Sequence, residues 1–439
     1  MHTSKYKWIR LALVLALGLL AVGPWAPVQT VQAADPTTGI ICTDGPNFSL
    51  TAQPGYIQTS DMNTVYMWSY GLTGGSFQYP GPVLCVNEGD TVAITLHNSL
   101  PYNLPTSLIF PGQENVMADG ILAQPDLGSD SLTNSVASGG DITYSFVASR
   151  PGTFIYESGT DTKTQVPMGL ASVLIVRPSM GADFLYNRAS DKFTPEEEFM
   201  AFLSEVDPYQ HAAWEKSAGK GKNYNLNDYH AYYWLLNGRG FPDTMADNNA
   251  SWLPNQPYGA LARIHPFNPD MNAGVDYHPY PAVERFINVG TEEYPFHPHG
   301  QNGQVVGRDG YPLEGPGGED MAFENFLVNI GPGQTWDVLF AWHDAEAYDP
   351  VTNPVNVTVP DLSNVTIGMF YSGSPYLGYQ QTMPPGTTTL NQCGEYYIIS
   401  HNHALFQLDA FGQTLAGPIT YLRIDPPLSQ QQATGLLCP

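Results

Sequence analysis

The chain has 439 residues and a formal charge of -25 at pH 7, from 16 Lys and Arg against 41 Asp and Glu. Such acidity argues against nucleic acid and anionic membrane surfaces as partners, because like charges repel. With only 13% charged residues and abundant Gly, Pro and Tyr, the composition fits a β-sandwich with many turns.

Residues 1–33 read as a secretion signal. Lys5, Lys7 and Arg10 precede the apolar run Leu11 to Val22, and Val31-Gln32-Ala33 offers a small-residue cleavage site. The apolar run stops at Gly23-Pro24, short of the roughly 20 residues that span a bilayer, so no membrane span is expected in the mature form. Cleavage removes three positive charges and takes the formal charge from -25 to -28. The protein is therefore expected outside the cytoplasm, secreted or held in the periplasm or at the cell surface. Cys42, Cys85, Cys393 and Cys438 would then form one or two disulfides, with three full pairings open.

The mature chain is longer than one ordinary domain, and two are expected. From Ile41 to Arg177, short β-prone runs alternate with turns. Tyr79 to Val92 reads as loop, strand, turn and strand; Val92 to Leu96, Thr143 to Phe146, Gly152 to Tyr156 and Gly169 to Val176 are further strands. Residues 179–230 are more polar and read as a connection with an insertion. There Thr194-Pro195-Glu196-Glu197 has the signature of a helix start. Beyond it, Pro332 to Phe340 alternates as a strand, and Gly394 to Ile399 leads into a histidine pair.

That pair is His401 and His403, in Ser400-His401-Asn402-His403; its counterpart is His297 and His299, in Tyr294-Pro295-Phe296-His297-Pro298-His299-Gly300-Gln301. In an extended strand both members of a His-X-His point to one face, so two such strands side by side would bring four imidazoles together. Four histidines without cysteine suit copper or zinc. His97, His211, His230, His265, His278 and His343 share no spacing and read as surface or structural residues. The aromatic run Tyr229 to Trp234 reads as strand core. Hydrolase, phosphate-loop and haem motifs are absent.

The segment from Arg285 to Gly300 resembles the His-Pro-X-His-X-His-Gly-His segment of multicopper oxidases, and Ser400 to Gln407 resembles their His-Cys-His-X-X-X-His segment. The Pro-Gly-Pro at 80–82, Glu88-Gly89-Asp90, Asp119-Gly120 and Pro151 to Tyr156 follow the same family's first domain, and Asn237-Gly238-Arg239 resembles a turn of its later domains. The resemblance implies an all-β fold of two cupredoxin-like Greek-key β-sandwich domains, residues 34–180 and 181–439, with Phe199 to Val206 as the first strand of the second. It also implies copper as cofactor, a homotrimer, and a small-molecule reductant as substrate.

The resemblance places the four remaining cluster ligands at His297, His299, His401 and His403. Tyr294, Asn402 and Gln407 stand where it implies the type 1 copper ligands. Ile109 to Gly112 and Tyr156 to Gly159 stand where it implies the first domain's histidines, with Glu157 as a substitute carboxylate ligand. The expected function is a secreted, oxidase-derived protein that binds copper, zinc or another transition metal, with laccase-type activity reduced, altered or lost. Two alternatives stand beside it: a metal-free extracellular structural or interaction module, and an oxidoreductase with a mononuclear metal centre.

Overall fold

A computed structural model of the protein describes residues 37–216, 224–269, 278–342 and 396–425. The expected signal segment, His343, Cys393 and Cys438 lie outside the described residues. Ten strands come first: β1 Cys42–Asp44, β2 Asn47–Gln58, β3 Thr64–Leu72, β4 Val83–Asn87, β5 Thr91–Asn98, β6 Met117–Ala118, β7 Ile121–Leu122, β8 Asp141–Val147, β9 Gly152–Glu157 and β10 Ala171–Arg177. They form a four-stranded sheet, β1-β4-β10-β9, and a six-stranded sheet, β3-β2-β5-β8-β6-β7.

Alternation explains the packing of the six-stranded sheet. Val92, Ile94 and Leu96 on β5, with Ile142, Tyr144 and Phe146 on β8, turn inward onto Trp68 and Leu174. Strand β10 is apolar on both faces, so it lies between two apolar layers. Its Leu174 and Val176 fill the first core, while Val173 and Ile175 face the other way. A disulfide joins Cys42 to Cys85 across the parallel pair β1 and β4, which settles one of the open cysteine pairings.

The second set is β11 Glu198–Val206, β12 Tyr233–Leu236, β13 Ala262–Ile264, β14 Ala282–Asn288, β15 Tyr294–Pro298, β16 Gly303–Arg308, β17 Tyr311–Pro312, β18 Phe323–Asn325, β19 Val328–Ile330, β20 Thr335–Phe340, β21 Tyr396–Asn402, β22 Asp409–Ala410, β23 Gln413–Thr414 and β24 Ile419–Ile424. One sheet runs β17-β16-β20-β14-β11-β12-β22-β23, with β18 also on β16; the other runs β13-β24-β21-β15-β19. The fold is all-β, as expected, with two short helices, Thr162–Gln165 and Pro208–Lys216, among the described residues. The competing signals near residue 194 are both realised. Pro195–Glu197 makes a single 3₁₀ turn with Thr194 as its N-cap, and β11 starts at once.

Strand β11 repeats the device of β10. Phe199, Ala201 and Leu203 enter the second core, whereas Met200, Phe202 and Val206 meet Val173 and Ile175 in a third apolar layer between the sandwiches. Beside that layer lies a buried ionic network. Arg285 and Arg177 both donate to the Glu198 carboxylate, at 2.6 Å each. Arg285 also reaches Asp337 at 3.3 Å, and the Thr153 and Tyr186 hydroxyls donate to Asp337 at 2.6 Å each. Burial alone would raise the Glu198 pKa, but the two guanidinium charges override it and bring it to about 2.

Removing the charge at Glu198 would strand two buried guanidinium groups. Glu198→Gln should lower unfolding stability by about 3–5 kcal/mol, read by urea denaturation at pH 7. Glu284, on β14, is the opposite case: it is buried, its Oε2 has no hydrogen-bond partner among the described residues, and burial raises its pKa to about 8. A carboxyl whose folded pKa is raised favours the unfolded state once that state ionises. Stability is therefore complete below about pH 4.5 and falls as pH rises toward 8, by about 3 kcal/mol at pH 7. Denaturation of Glu284→Gln across that window should lack this slope.

Candidate metal centre

Strands β15 and β21 are antiparallel neighbours, with His297 opposite His401. The pleat turns Tyr294, Phe296 and Pro298 toward the core and leaves His297 on the outer face. Ser400 and Asn402 are likewise buried, and His401 points out. His299 and His403 continue the same face, because the backbone pairing extends past the strand ends. The His299 N–H donates to the Ile399 carbonyl at 3.0 Å, and the His403 N–H to that of Pro295 at 2.7 Å. Ring centroids lie 4.2 Å apart for His297 and His299, 5.0 Å for His299 and His401, 5.4 Å for His297 and His403, and 5.6 Å for His401 and His403.

The hydrogen bonds set the tautomers. His297 Nδ1 lies 2.5 Å from the Phe326 carbonyl, and His401 Nδ1 lies 2.8 Å from that of Asn402. A carbonyl can only accept, so each Nδ1 carries the proton and each Nε2 keeps its lone pair. His299 Nε2 and His401 Nε2 are 3.0 Å apart. Burial, then the neighbouring His297, His401 and His403, lowers the His299 pKa to about 3; burial chiefly lowers that of His401. Both rings are thus neutral, the form that binds metals. A cavity of about 400 Å³ opens beside His297 and His299, next to Phe326 and Gln301. Neither polar atom of the Gln301 side chain has a partner among the described residues.

Behind the histidines, Tyr294, Asn402 and Gln407 are buried and tied into carboxylates. The Tyr294 hydroxyl donates to Glu205 at 2.7 Å, and Gln407 Nε2 donates to Glu292 at 2.7 Å. Trp234 Nε1 donates to the same Glu292 oxygen at 2.9 Å, and Asn402 Nδ2 donates to Gln407 Oε1. Gly290 is required here, since a Cβ at that position would fall 1.9 Å from Glu205 Oε2. This pocket is closed by phenol, carboxamide and carboxylate groups.

In the first sandwich, Ile109 and Glu157 pair through both backbone hydrogen bonds. Around them the hydroxyls of Ser107, Ser131 and Thr160 bond to one another at 2.8–3.2 Å, and Ser158 donates to Gln165. The Glu157 side chain lines a separate cavity of about 550 Å³ with Tyr229, Val289 and Thr291. Burial raises its pKa to about 7. Among the described residues, no three of Glu157 and the four histidines bring their donor atoms within 4.8 Å of one another.

A different set does converge. Donor atoms of Glu197, His265 and His278 all lie within 4.8 Å of one another, an arrangement able to hold a metal ion. His265 and His278, which share no spacing in the sequence, thus meet at one carboxylate. Separations of 68 and 13 residues carry no local periodicity, and only the placing of residues 262–269 and 278–282 against the turn before β11 brings these side chains together. His211 does conform to the structural reading: it is buried, its Nδ1 lies 2.5 Å from the Tyr66 carbonyl, and burial lowers its pKa to about 4.

Residues 63–181 match the sequence profile of the multicopper oxidases. That match makes the first sandwich similar to a multicopper oxidase domain. The chain is 32% identical over 117 residues to laccase abr2 of Aspergillus fumigatus, covering 26% of the chain and 18% of that protein. It is 30% identical over 135 residues to the multicopper oxidase MmcO of Mycobacterium tuberculosis, covering 30% of the chain and 23% of that protein. The matches thus span less than a quarter of either relative. The fold is similar to that of the blue copper oxidase from Nitrosomonas europaea, with a TM-score of 0.55 at 17% identity over 86% of this chain and 85% of that one. The profile match falls in the first sandwich, whereas all four clustered histidines lie in the second. Because Glu157 faces a separate cavity, Glu157→Ala should leave copper affinity at the histidines unchanged in a calorimetric titration.

Proposed function

We propose that this chain is an exported, multicopper-oxidase-like protein that binds copper, or another transition metal, through His297, His299, His401 and His403, with laccase-type activity reduced, altered or lost. The observation that carries this reading is the His299 Nε2 to His401 Nε2 separation of 3.0 Å. Two imidazoles bonded to one ion at about 2.0–2.1 Å span a distance of this size. His297 and His401 also have Nδ1 anchored on carbonyls, the outer support that orients metal-binding histidines. An all-imidazole donor set suits copper, which would supply one-electron chemistry when bound.

Loss of the family's electron-entry site is supported by the donors at Tyr294, Asn402 and Gln407, which include neither thiolate nor imidazole and are committed to Glu205 and Glu292. Loss of the first-domain ligands is supported by the hydroxyl network around Ser107 and Thr160. Export is supported by the Cys42–Cys85 disulfide, a bond that persists in oxidising compartments. No described helix is long and apolar enough to cross a membrane. The homotrimer implied by resemblance belongs to the same reading, with a second copy covering the exposed Phe326 and Leu405 beside the histidines.

The test is metal content by mass spectrometry on protein exported into copper-supplemented medium. Wild type should carry at least one equivalent of copper more than the variant with all four histidines changed to Ala. Equal copper in the two proteins would sink the reading and leave the metal-free extracellular module. Turnover of a phenolic reductant should stay far below that of a complete laccase.

A further inference from the structure

The convergence of Glu197, His265 and His278 is separate from the histidines on β15 and β21 and is not used by the function proposed above. Glu197 closes the 3₁₀ turn before β11, and its carboxylate is buried. One oxygen, Oε1, receives every approach. The His265 backbone N–H donates to it at 2.7 Å, and His265 Nδ1 lies 2.9 Å away. His278 Nδ1 is also 2.9 Å from it, but off the hydrogen-bond direction, so that nitrogen has no hydrogen-bond partner. The rings stand 4.5 Å apart and tilted by 36°, both with an edge on the same oxygen.

A simple ion pair does not account for this arrangement. One imidazolium suffices to neutralise one carboxylate, and it would align its N–H with an oxygen. Here two imidazole nitrogens and a carboxylate oxygen lie within 4.8 Å of one another, and one of the nitrogens, His278 Nδ1, makes no aligned hydrogen bond to the oxygen it faces. The backbone holds this set in place. His265 directly follows β13, and the chain around His278 pairs with residues 266–268 through its own N–H to the Pro266 carbonyl and its carbonyl to the Asn268 N–H. Both histidine side chains remain about one-third exposed, at 33% and 28%, which leaves room for water on the outer side.

We propose that Glu197, His265 and His278 form a second, mononuclear site for a divalent first-row transition ion such as zinc, with a solvent-facing coordination position left open. Two imidazoles exclude calcium and magnesium, which take oxygen ligands, and one carboxylate with two imidazoles is a donor set that zinc accepts. The ion would staple three segments: the turn entering β11, the exit of β13, and the approach to β14.

The experiment uses the full chain in which the four histidines of β15 and β21 are already Ala, so its outcome is independent of the function proposed above. Equilibrium dialysis against zinc should give about one bound equivalent. Adding His265→Gln and His278→Gln should weaken that binding by more than the roughly 10–100-fold that loss of an outer-shell partner costs. Glu197→Gln should weaken it as well. X-ray absorption on the zinc-loaded parent, which needs no further substitution to fold, should count two imidazoles. No zinc in the parent, unchanged affinity in the double variant, or a spectrum without imidazole would each overturn the site.

Discussion

The Glu198 carboxylate, gripped by Arg177 from one sandwich and Arg285 from the other, is the contact on which the arrangement of the two halves depends. A buried charge is tolerated only when it is paired and hydrogen-bonded, so these three side chains admit few relative positions of β10, β11 and β14. Apolar surface on both sides of the contact, Val173 and Ile175 against Met200 and Phe202, supplies non-directional cohesion that would accept many dockings. Fixing β14 and β11 in turn sets the sheet on which the second core is built, and the outer sheet carrying β15 and β21 packs on that core.

On that outer sheet a second constraint takes over, the period of two along a strand. Once Phe296 and Tyr294 face the core, His297 must face outward, and pairing with His401 places the other pair alongside. A one-residue slip of β21 would put Asn402 outside and His401 in the core. The register is held because Asn402 and Gln407 bond to each other and Gln407 to Glu292 inside. The polar network of Asn402, Gln407 and Glu292 is thus also what keeps the outer histidines aligned.

The chemistry of the outer cluster follows from crowding. Four imidazoles stand side by side, two of them held by backbone carbonyls, and burial pushes His299 and His401 toward the neutral form. Because His401 keeps its proton on Nδ1, His299 Nε2 donates to His401 Nε2. In the first sandwich the hydroxyls of Ser107, Ser131 and Thr160 bond to one another, and Glu157 lines a cavity with Tyr229 and Thr291. The asymmetry between the two sandwiches is therefore chemical rather than architectural.

Much of this was legible in the linear sequence, because it rests on local periodicity. Alternation marked β5, β8 and β20. The run Gly169 to Val176 marked β10 as a strand, and each His-X-His marked a shared face, since side-chain direction in a strand is decided by its immediate neighbours. The start of β11 was readable only as two competing signals, and the structure honours both within a few residues. What tertiary structure alone decided are the contacts between distant segments: the Cys42–Cys85 pairing, the ionic contact at Glu198, and the meeting of Glu197 with His265 and His278. Those depend on how loops and sheets fold back through space, and neither the spacing nor the type of these residues encodes that path.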